Sequence, residues 1–489
     1  MTKTGRREFL ALMGSIAAGA MTGVFSESSA QSTDQYALKP WAGDDFTLGH
    51  KLRDGDLPKL PLESERKVDF VIIGGGMAGL ACAHFLRNEN VLLLEQYAQT
   101  GGTSSGGSYR GIDYSMGAVC TGSNDGNHKK LYDELNIAPA VVPEGDIAWR
   151  YDGHWQLGQT GAGNFYKELS RLKSELHGAD RTKLDKTTFK DWLSSSDPKF
   201  ASLMDNICRS WSCAGSDQVV GSVGLGIMDA LSTPSYVFEG GNSGIARALF
   251  HNLEKSGSGR CQTSAFVWKV EKQGNGGSVV YSDKAQRLHR IEARHVVVCT
   301  PPFITRRIVS GLPDKLLKNF AKLEYGAIVV GNFCMKKKVF NNPYQSFADG
   351  NFPFSQMIMA ETPYQIKGSY KPEMGSVLTV YHPFCTGAAG RARLLGTDRK
   401  KLAESLVKRL GELVEGFQGS LEEVVLTRWG HAFVIPRAGV SEALSEIKGV
   451  NPEWMTFAHS TAAGYQSLGG AIHSAKYASD RCLGVRHQS

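Results

Sequence analysis

One group of residues in this sequence has the types and spacing that suit phosphate chemistry. Gly74-Gly75-Gly76-Met77-Ala78-Gly79 is followed, sixteen residues after Gly79, by Glu95. Gly74 permits a tight turn, Gly76 lets the backbone approach a pyrophosphate, and Gly79 lets a helix pack closely on a strand. A helix beginning there offers free N–H groups and a partial positive charge to phosphates. Glu95 stands where a carboxylate accepts hydrogen bonds from ribose hydroxyls; its charge would repel a 2′-phosphate, which disfavours NADP. Nucleophile chemistry of the Ser-His-Asp kind has no local signature. The nine cysteines form no CxxC or CxxCH, so neither a zinc site nor covalent haem is assigned, and no metal is expected.

The elements needed to position these residues can be read around them. Lys67 to Ile73 is an apolar, β-branched run that predicts a buried strand leading into the glycines. Leu80 to Leu86 predicts a helix rich in small residues, and Val91 to Leu94 a second buried strand ending at Glu95. Strand, glycine turn, helix, strand and acid form one dinucleotide-binding unit, which NAD and FAD both use.

A second glycine pair, Gly101-Gly102-Thr103, and then Gly111-Ile112-Asp113-Tyr114-Ser115-Met116-Gly117-Ala118 follow the acid. This stretch resembles the flavin-dependent amine oxidase superfamily. The similarity continues at Phe238 to Gly244, at Val267, at His295 to Pro302, at Trp454 to Ser460 and at Gly469 to Ile472, and spans roughly residues 44–484. The resemblance implies an α/β fold, with a Rossmann-type FAD-binding domain interleaved with a mixed α+β substrate-binding domain. It implies that FAD is held by Gly74, Gly76, Met77, Ala78, Gly79, Glu95, Gln96, Gly101, Gly102, Thr103, Met116, Gly117, Ala118, Val267, Ser460, Leu468 and Gly469. The N-terminus of the last helix would face the N1–C2=O edge of the flavin and stabilise its anionic reduced form.

Two positions depart from the family pattern. His459-Ser460 stands where many members have glycine and an acid on the ribityl chain, so a hydroxyl would replace a carboxylate. Val330 stands where oxidases place a lysine near flavin N5, although Lys322 or Lys336 could reach the flavin from a neighbouring turn. Phe46 to Gly55, Arg428 to His431 and Ala458 to Ser460 are similar to the bacterial spermidine dehydrogenases. The resemblance therefore implies an amine substrate, a polyamine within that class, with electrons passing to a carrier such as a cytochrome or quinone, or to oxygen.

The family-like blocks, 60–140, 236–312 and 450–489, are assigned to FAD binding; 141–235 and 313–449 are assigned to the substrate. The first insert reads as helix-rich. In the second, Leu402, Leu406, Leu410, Leu413 and Phe417 recur at helical spacing after Thr397-Asp398, an N-cap signal, and predict a core stripe. Amine oxidation needs the substrate as free amine near the flavin, flanked by rings that position it and exclude water. By position these are Phe433 and Tyr465, with Trp429 as support and His431 as a base or substrate contact. An L-amino-acid oxidase or other flavin desaturase is the alternative enzyme, needing an arginine for the carboxylate: Arg209, Arg428 or Arg437. A non-catalytic flavoprotein acting as electron carrier or assembly partner is a third reading.

Composition bounds these readings without choosing among them. The 489 residues carry 41% hydrophobic and 21% charged residues, an ordinary globular balance, with a formal charge of +7 and no dense basic stripe. Lys336-Lys337-Lys338 and Arg399-Lys400-Lys401 read as solvated faces, so nucleic acid is not an expected partner. Residues 1–30 read as a targeting segment: Arg6-Arg7, then Phe9-Leu10, a small-residue apolar run, and Ser28-Ser29-Ala30 before Gln31. The pattern resembles a twin-arginine signal, which implies the matching translocon and a periplasmic destination; residues 31–59 form an N-terminal extension. No segment is long and apolar enough to span a bilayer. Folding before export, in a reducing compartment, is consistent with free cysteines.

Overall fold

A computed structural model describes residues 36–121, 126–151, 153–158, 163–348, 350, 352–463 and 466–484. Residues 1–30, the expected targeting segment, and Tyr465 lie outside the described residues.

The first predicted strand is β1 (Arg66–Ile73), whose last four residues are buried. It feeds α1 (Met77–Phe85) and then β2 (Val91–Leu94), which returns parallel to β1 from Phe70↔Val91 to Ile73↔Leu94. The chain comes back to this unit with α2 (Asn242–Ser256), β3 (Cys261–Gln262), β4 (Phe266–Gln273), β5 (Gly276–Ser282) and β6 (Leu288–Val298). It closes with β7 (Met455–Phe457) and α3 (Leu468–Cys482). The sheet runs β3-β2-β1-β6-β5-β4, with β7 parallel beside the end of β6. β1, β2, β3, β6 and β7 share one direction, so their carboxyl ends face one edge, where ligands of open parallel sheets bind. Helices α1, α2 and α3 pack around Leu80, Ala81, Leu249, Ile472 and Ala475. The fold class is α/β with a Rossmann-type sheet.

A second, nine-stranded sheet is built on three long antiparallel strands, Tyr325–Met335, Ser376–Phe384 and Leu421–Val434. Every residue of Tyr325–Met335 is buried, the polar Asn332 included. Residues of the N-terminal extension add to this sheet: Ala37–Leu38 and Ala42–Gly43 each pair with Leu421–Val434. Helices including Gly163–His177, Pro198–Ser212 and Gly221–Leu231 share a core with Trp149 and Phe347. No described helix is long and apolar enough to cross a membrane.

The stripe predicted from Leu402 to Phe417 needs one correction. Asp398 caps the helix by accepting a hydrogen bond from Lys401 N at 2.9 Å, but the helix ends at Gly411. Gly416, at φ +72°, turns the chain, and Phe417 begins a separate short helix. The apolar residues still enter one core, with Leu406, Leu410 and Phe417 buried and Leu402 and Leu413 packed against them. Helical spacing persisted across a turn, which periodicity alone does not reveal.

Candidate functional site

The glycine turn stands at the carboxyl end of β1. Gly74 has φ +102°, and a Cβ at Gly79 would lie 1.9 Å from Gly74 O, so α1 touches the turn only because residue 79 has no side chain. A Cβ at Gly76 would meet nothing within 4 Å, leaving this backbone open to an approaching group. Met77 and Ala78 form the buried first turn of α1. Gly101 N donates to Gly75 O at 2.8 Å, which stitches the second glycine turn beside the first. Gly101 and Gly102 both lie at positive φ, +116° and +56°. Thr103 O accepts from Ala118 N at 2.8 Å, and a Cβ at Gly117 would lie 2.1 Å from the same oxygen. The two glycine turns and Met116–Ala118 therefore form one continuous backbone surface.

Glu95 is buried at the end of β2. Its Oε2 accepts from Gly75 N at 2.7 Å and its Oε1 from Tyr97 N at 2.8 Å. Burial pushes its pKa up to about 7, and the backbone donors at Tyr97, Gly75 and Gln96 oppose that rise. The Gln96 side chain is exposed. Glu95 O accepts from Ala265 N at 2.8 Å, so the segment entering β4, with buried Val267, runs beside the acid. On the other side of the sheet centre, Ser460 opens a 3₁₀ turn, Ser460–Ala463, after β7. Ser467 Oγ accepts from Gly470 N at 3.0 Å and caps α3, on whose first turn Leu468 and Gly469 sit. A Cβ at Gly469 would come 3.2 Å from the ring of His128, a residue sequence reasoning did not single out. His128 carries no motif, and only tertiary contact brings it here.

The nine-stranded sheet meets this surface through three side chains. Trp429 Nε1 donates to Met116 O at 2.8 Å, Tyr381 OH to Gly117 O at 2.5 Å, and Asn332 Nδ2 to Ser115 O at 3.1 Å. Trp429 was expected as aromatic support, whereas Tyr381 and Asn332 were missed, since isolated residues on strands give no signal. Around them lies an apolar cluster of Ile328, Val330, Tyr344, Ile358, Tyr381 and Trp429, with Val119, Cys120 and Phe433 packed against it. Val330 is inside this cluster; Lys322 and Lys336 are exposed.

His431 stands two residues beyond Trp429, where the strand bulges: Ile328 pairs with Trp429 but Gly326 with Phe433. Its ring stacks on Phe303 at 3.9 Å and meets Tyr325 edge-on at 5.6 Å. Burial, with the positive charges of Arg391 and His50, pushes its pKa down to about 3, so the imidazole is neutral at physiological pH. The three arginines considered for a substrate carboxylate are otherwise engaged. Arg209 pairs with Asp205 at 2.6 Å, Arg437 pairs with Glu324, and Arg428 donates to Asp44 O and lies over the rings of Phe46 and Trp41.

A family model described as an NAD(P)-binding Rossmann-like domain matches residues 72–135. Solved structures match much more of the chain. Putrescine oxidase is 15% identical with a TM-score of 0.66, the match covering 86% of this chain and 99% of that one. Cyclohexylamine oxidase from Brevibacterium oxydans gives 15% and 0.66 over 86% of this chain and 100% of that one. The chain has the amine oxidase fold. An oxidoreductase from Methanosarcina mazei is similar as well, 17% identical with a TM-score of 0.62, covering 84% of this chain and 99% of that one. No curated protein sequence matches significantly.

Proposed function

We propose that this protein is an FAD-dependent oxidoreductase that oxidises an amine. The observation that carries the reading is the stitching of the second glycine turn onto the first through Gly101 N and Gly75 O. It extends the open backbone at Gly76 toward Met116–Ala118, a surface suited to a dinucleotide lying in extended form. The residues present fit that cofactor. Gly74, Gly76, Met77 and Ala78 would hold the pyrophosphate, Glu95 the ribose, Val267 the adenine, and Gly101–Thr103 with Ser460 the ribityl chain. The capped start of α3 would meet the pyrimidine edge.

Bound there, FAD supplies a hydride acceptor at N5. The chain's own residues supply position and dryness. Trp429, Tyr381 and Asn332 fix the Ser115–Gly117 loop, and the apolar cluster of Val330, with Val119 and Phe433 packed against it, keeps this side of the site dry and would favour an amine in its free-base form. Tyr465 is proposed as the second flanking ring. A neutral His431 adds no charge against an incoming amine and could accept a hydrogen bond from it. With Val330 in the position of the oxidase lysine, we propose a carrier in preference to oxygen as electron acceptor, and a polyamine as one member of the substrate class. The carboxylate-bearing alternative loses the arginines it named.

The deciding experiment is anaerobic reduction of the bound flavin by a panel of amines, amino acids and alcohols. Bleaching by amines alone supports the reading. Bleaching only by amino acids or alcohols, or a protein that retains no flavin on reconstitution, overturns it. We further propose export by the twin-arginine route to the periplasm. Replacing Arg6 and Arg7 together by lysine should leave the precursor inside the cell; normal periplasmic accumulation of that variant in a fractionation would refute the assignment.

A further inference from the structure

Three separate helices bring cationic groups together outside the Phe303–His431 stack. Arg306 and Arg307 are exposed on Pro302–Ile308, which follows directly from β6. His50 and Arg53 lie on Thr47–Asp54, and Arg307 Nη1 donates to Arg53 O at 3.3 Å, tying the two helices together. Arg391, on Gly387–Leu395, donates to Tyr325 O, and both Arg391 and Arg306 act on the Tyr325 hydroxyl. Arg53 pairs with Asp54, but among the described residues Arg306, Arg307 and Arg391 make no ion pair. Partial burial, with the like charges of Arg306 and Arg53, holds the Arg307 guanidinium below its usual range. Folding thus gathers like charges that Asp54, beside Arg53 and Arg307, and Glu324, beside Arg391, offset only in part, an excess that an anionic counterpart would relieve.

The patch also lies at the end of a chain of contacts leading outward from the proposed flavin. Trp429 bonds to Met116 O, His431 follows it two residues later on the same strand, and Phe303 stacks on His431 at 3.9 Å. Phe303 belongs to the same helix as Arg306 and Arg307. A single carboxylate needs one or two arginines, whereas these charges are spread over three helices, a footprint that suits a macromolecular face.

We propose that the surface formed by Arg53, Arg306, Arg307 and Arg391 around Phe303 and His431 is the docking site for an acidic one-electron redox protein that reoxidises the flavin. The proposal rests on the flavin reading above. Each reduced flavin gives two electrons, one to each of two acceptor molecules, whose metal centres are each reduced by one unit; the protons leave to water.

The test uses the full mature holoprotein, reduced with dithionite so that no amine substrate is required. Its reoxidation is followed in stopped flow with acidic plastocyanin, with basic cytochrome c and with a small neutral quinone, across a range of salt. Binding of oxidised plastocyanin is measured separately by calorimetry. The expected result is a plastocyanin rate that falls steeply with salt and drops about tenfold or more in Arg306→Glu/Arg307→Glu, with weaker binding and an unchanged quinone rate. Arg306→Gln should give a smaller loss of the same kind, which guards against misfolding of the double variant. Equal plastocyanin rates and affinities in all forms, a preference for cytochrome c, or equal loss with the quinone would overturn the proposal. So would a binding site saturated by small carboxylates that leaves plastocyanin unaffected. A holoprotein with no reducible flavin spectrum would instead refute the flavin reading itself.

Discussion

The two halves of this molecule build their parts of the site by opposite means. The seven-stranded sheet presents backbone: two glycine turns at positive φ, a helix N-terminus and one buried acid held by Gly75 N and Tyr97 N. The nine-stranded sheet presents side chains, with Trp429, Tyr381 and Asn332 reaching across to grip the Ser115–Gly117 loop. Backbone recognition constrains residue type tightly, because a turn or close approach excludes every residue but glycine. Side-chain recognition constrains position in space and leaves type comparatively free. The first kind fits a cofactor that does not change; the second leaves room for the substrate side to vary on a constant fold.

Substitutions can break this contrast, and the largest effect is expected at Gly79. A Cβ 1.9 Å from Gly74 O must push α1 off the turn, so Gly79→Ala should cost about 3 kcal/mol and abolish FAD binding. Gly76→Ala, with open space around it, should keep its stability and lose affinity for FAD alone. Denaturant unfolding beside flavin titration separates the two outcomes. Equal behaviour of the two variants would remove the distinction between packing glycine and binding glycine.

Glu95 gives the next effect. Because burial raises its pKa from 4.5 to about 7, the folded state prefers the protonated acid. Its contribution is therefore present below pH 4.5 and is lost as pH rises through 7, a difference on the order of 3 kcal/mol in the cofactor-free protein. Glu95→Gln should erase that dependence and weaken FAD binding by about 1–3 kcal/mol. A pH titration of apo stability that is identical in wild type and variant would show that the acid is not held as described. The buried histidines act in the opposite sense. His295 and His459 in the nucleotide half are held at about 4 and His431 in the other half at about 3, chiefly by burial. Stability should thus be full above pH 6.5 and decline as pH falls toward 4. The smallest effect is at the seam: Trp429→Phe leaves Met116 O without its donor, at a cost of about 1 kcal/mol, with a shifted flavin spectrum as its second readout. An unperturbed spectrum would mean that the seam does not position the flavin.

Short-range chemistry in the sequence determined the nucleotide half. A strand ending in glycines, a helix of small residues and an acid after the next strand are local features, and β1, α1 and β2 follow the predicted order with boundaries shifted by a few residues at most. The sequence also singled out Val330, by family resemblance, and Trp429 as an aromatic of interest. It could not show that Trp429 bonds to Met116, 313 residues away, or that Tyr381 and Asn332 share the task. It could not bring His128 to Gly469, nor gather Arg53, Arg306 and Arg391 around one stacked histidine. The reason is physical. A turn, a helix start or a strand is specified by the torsional and steric limits of neighbouring residues. Contacts between distant side chains depend on how two sheets pack, and only the folded chain fixes that.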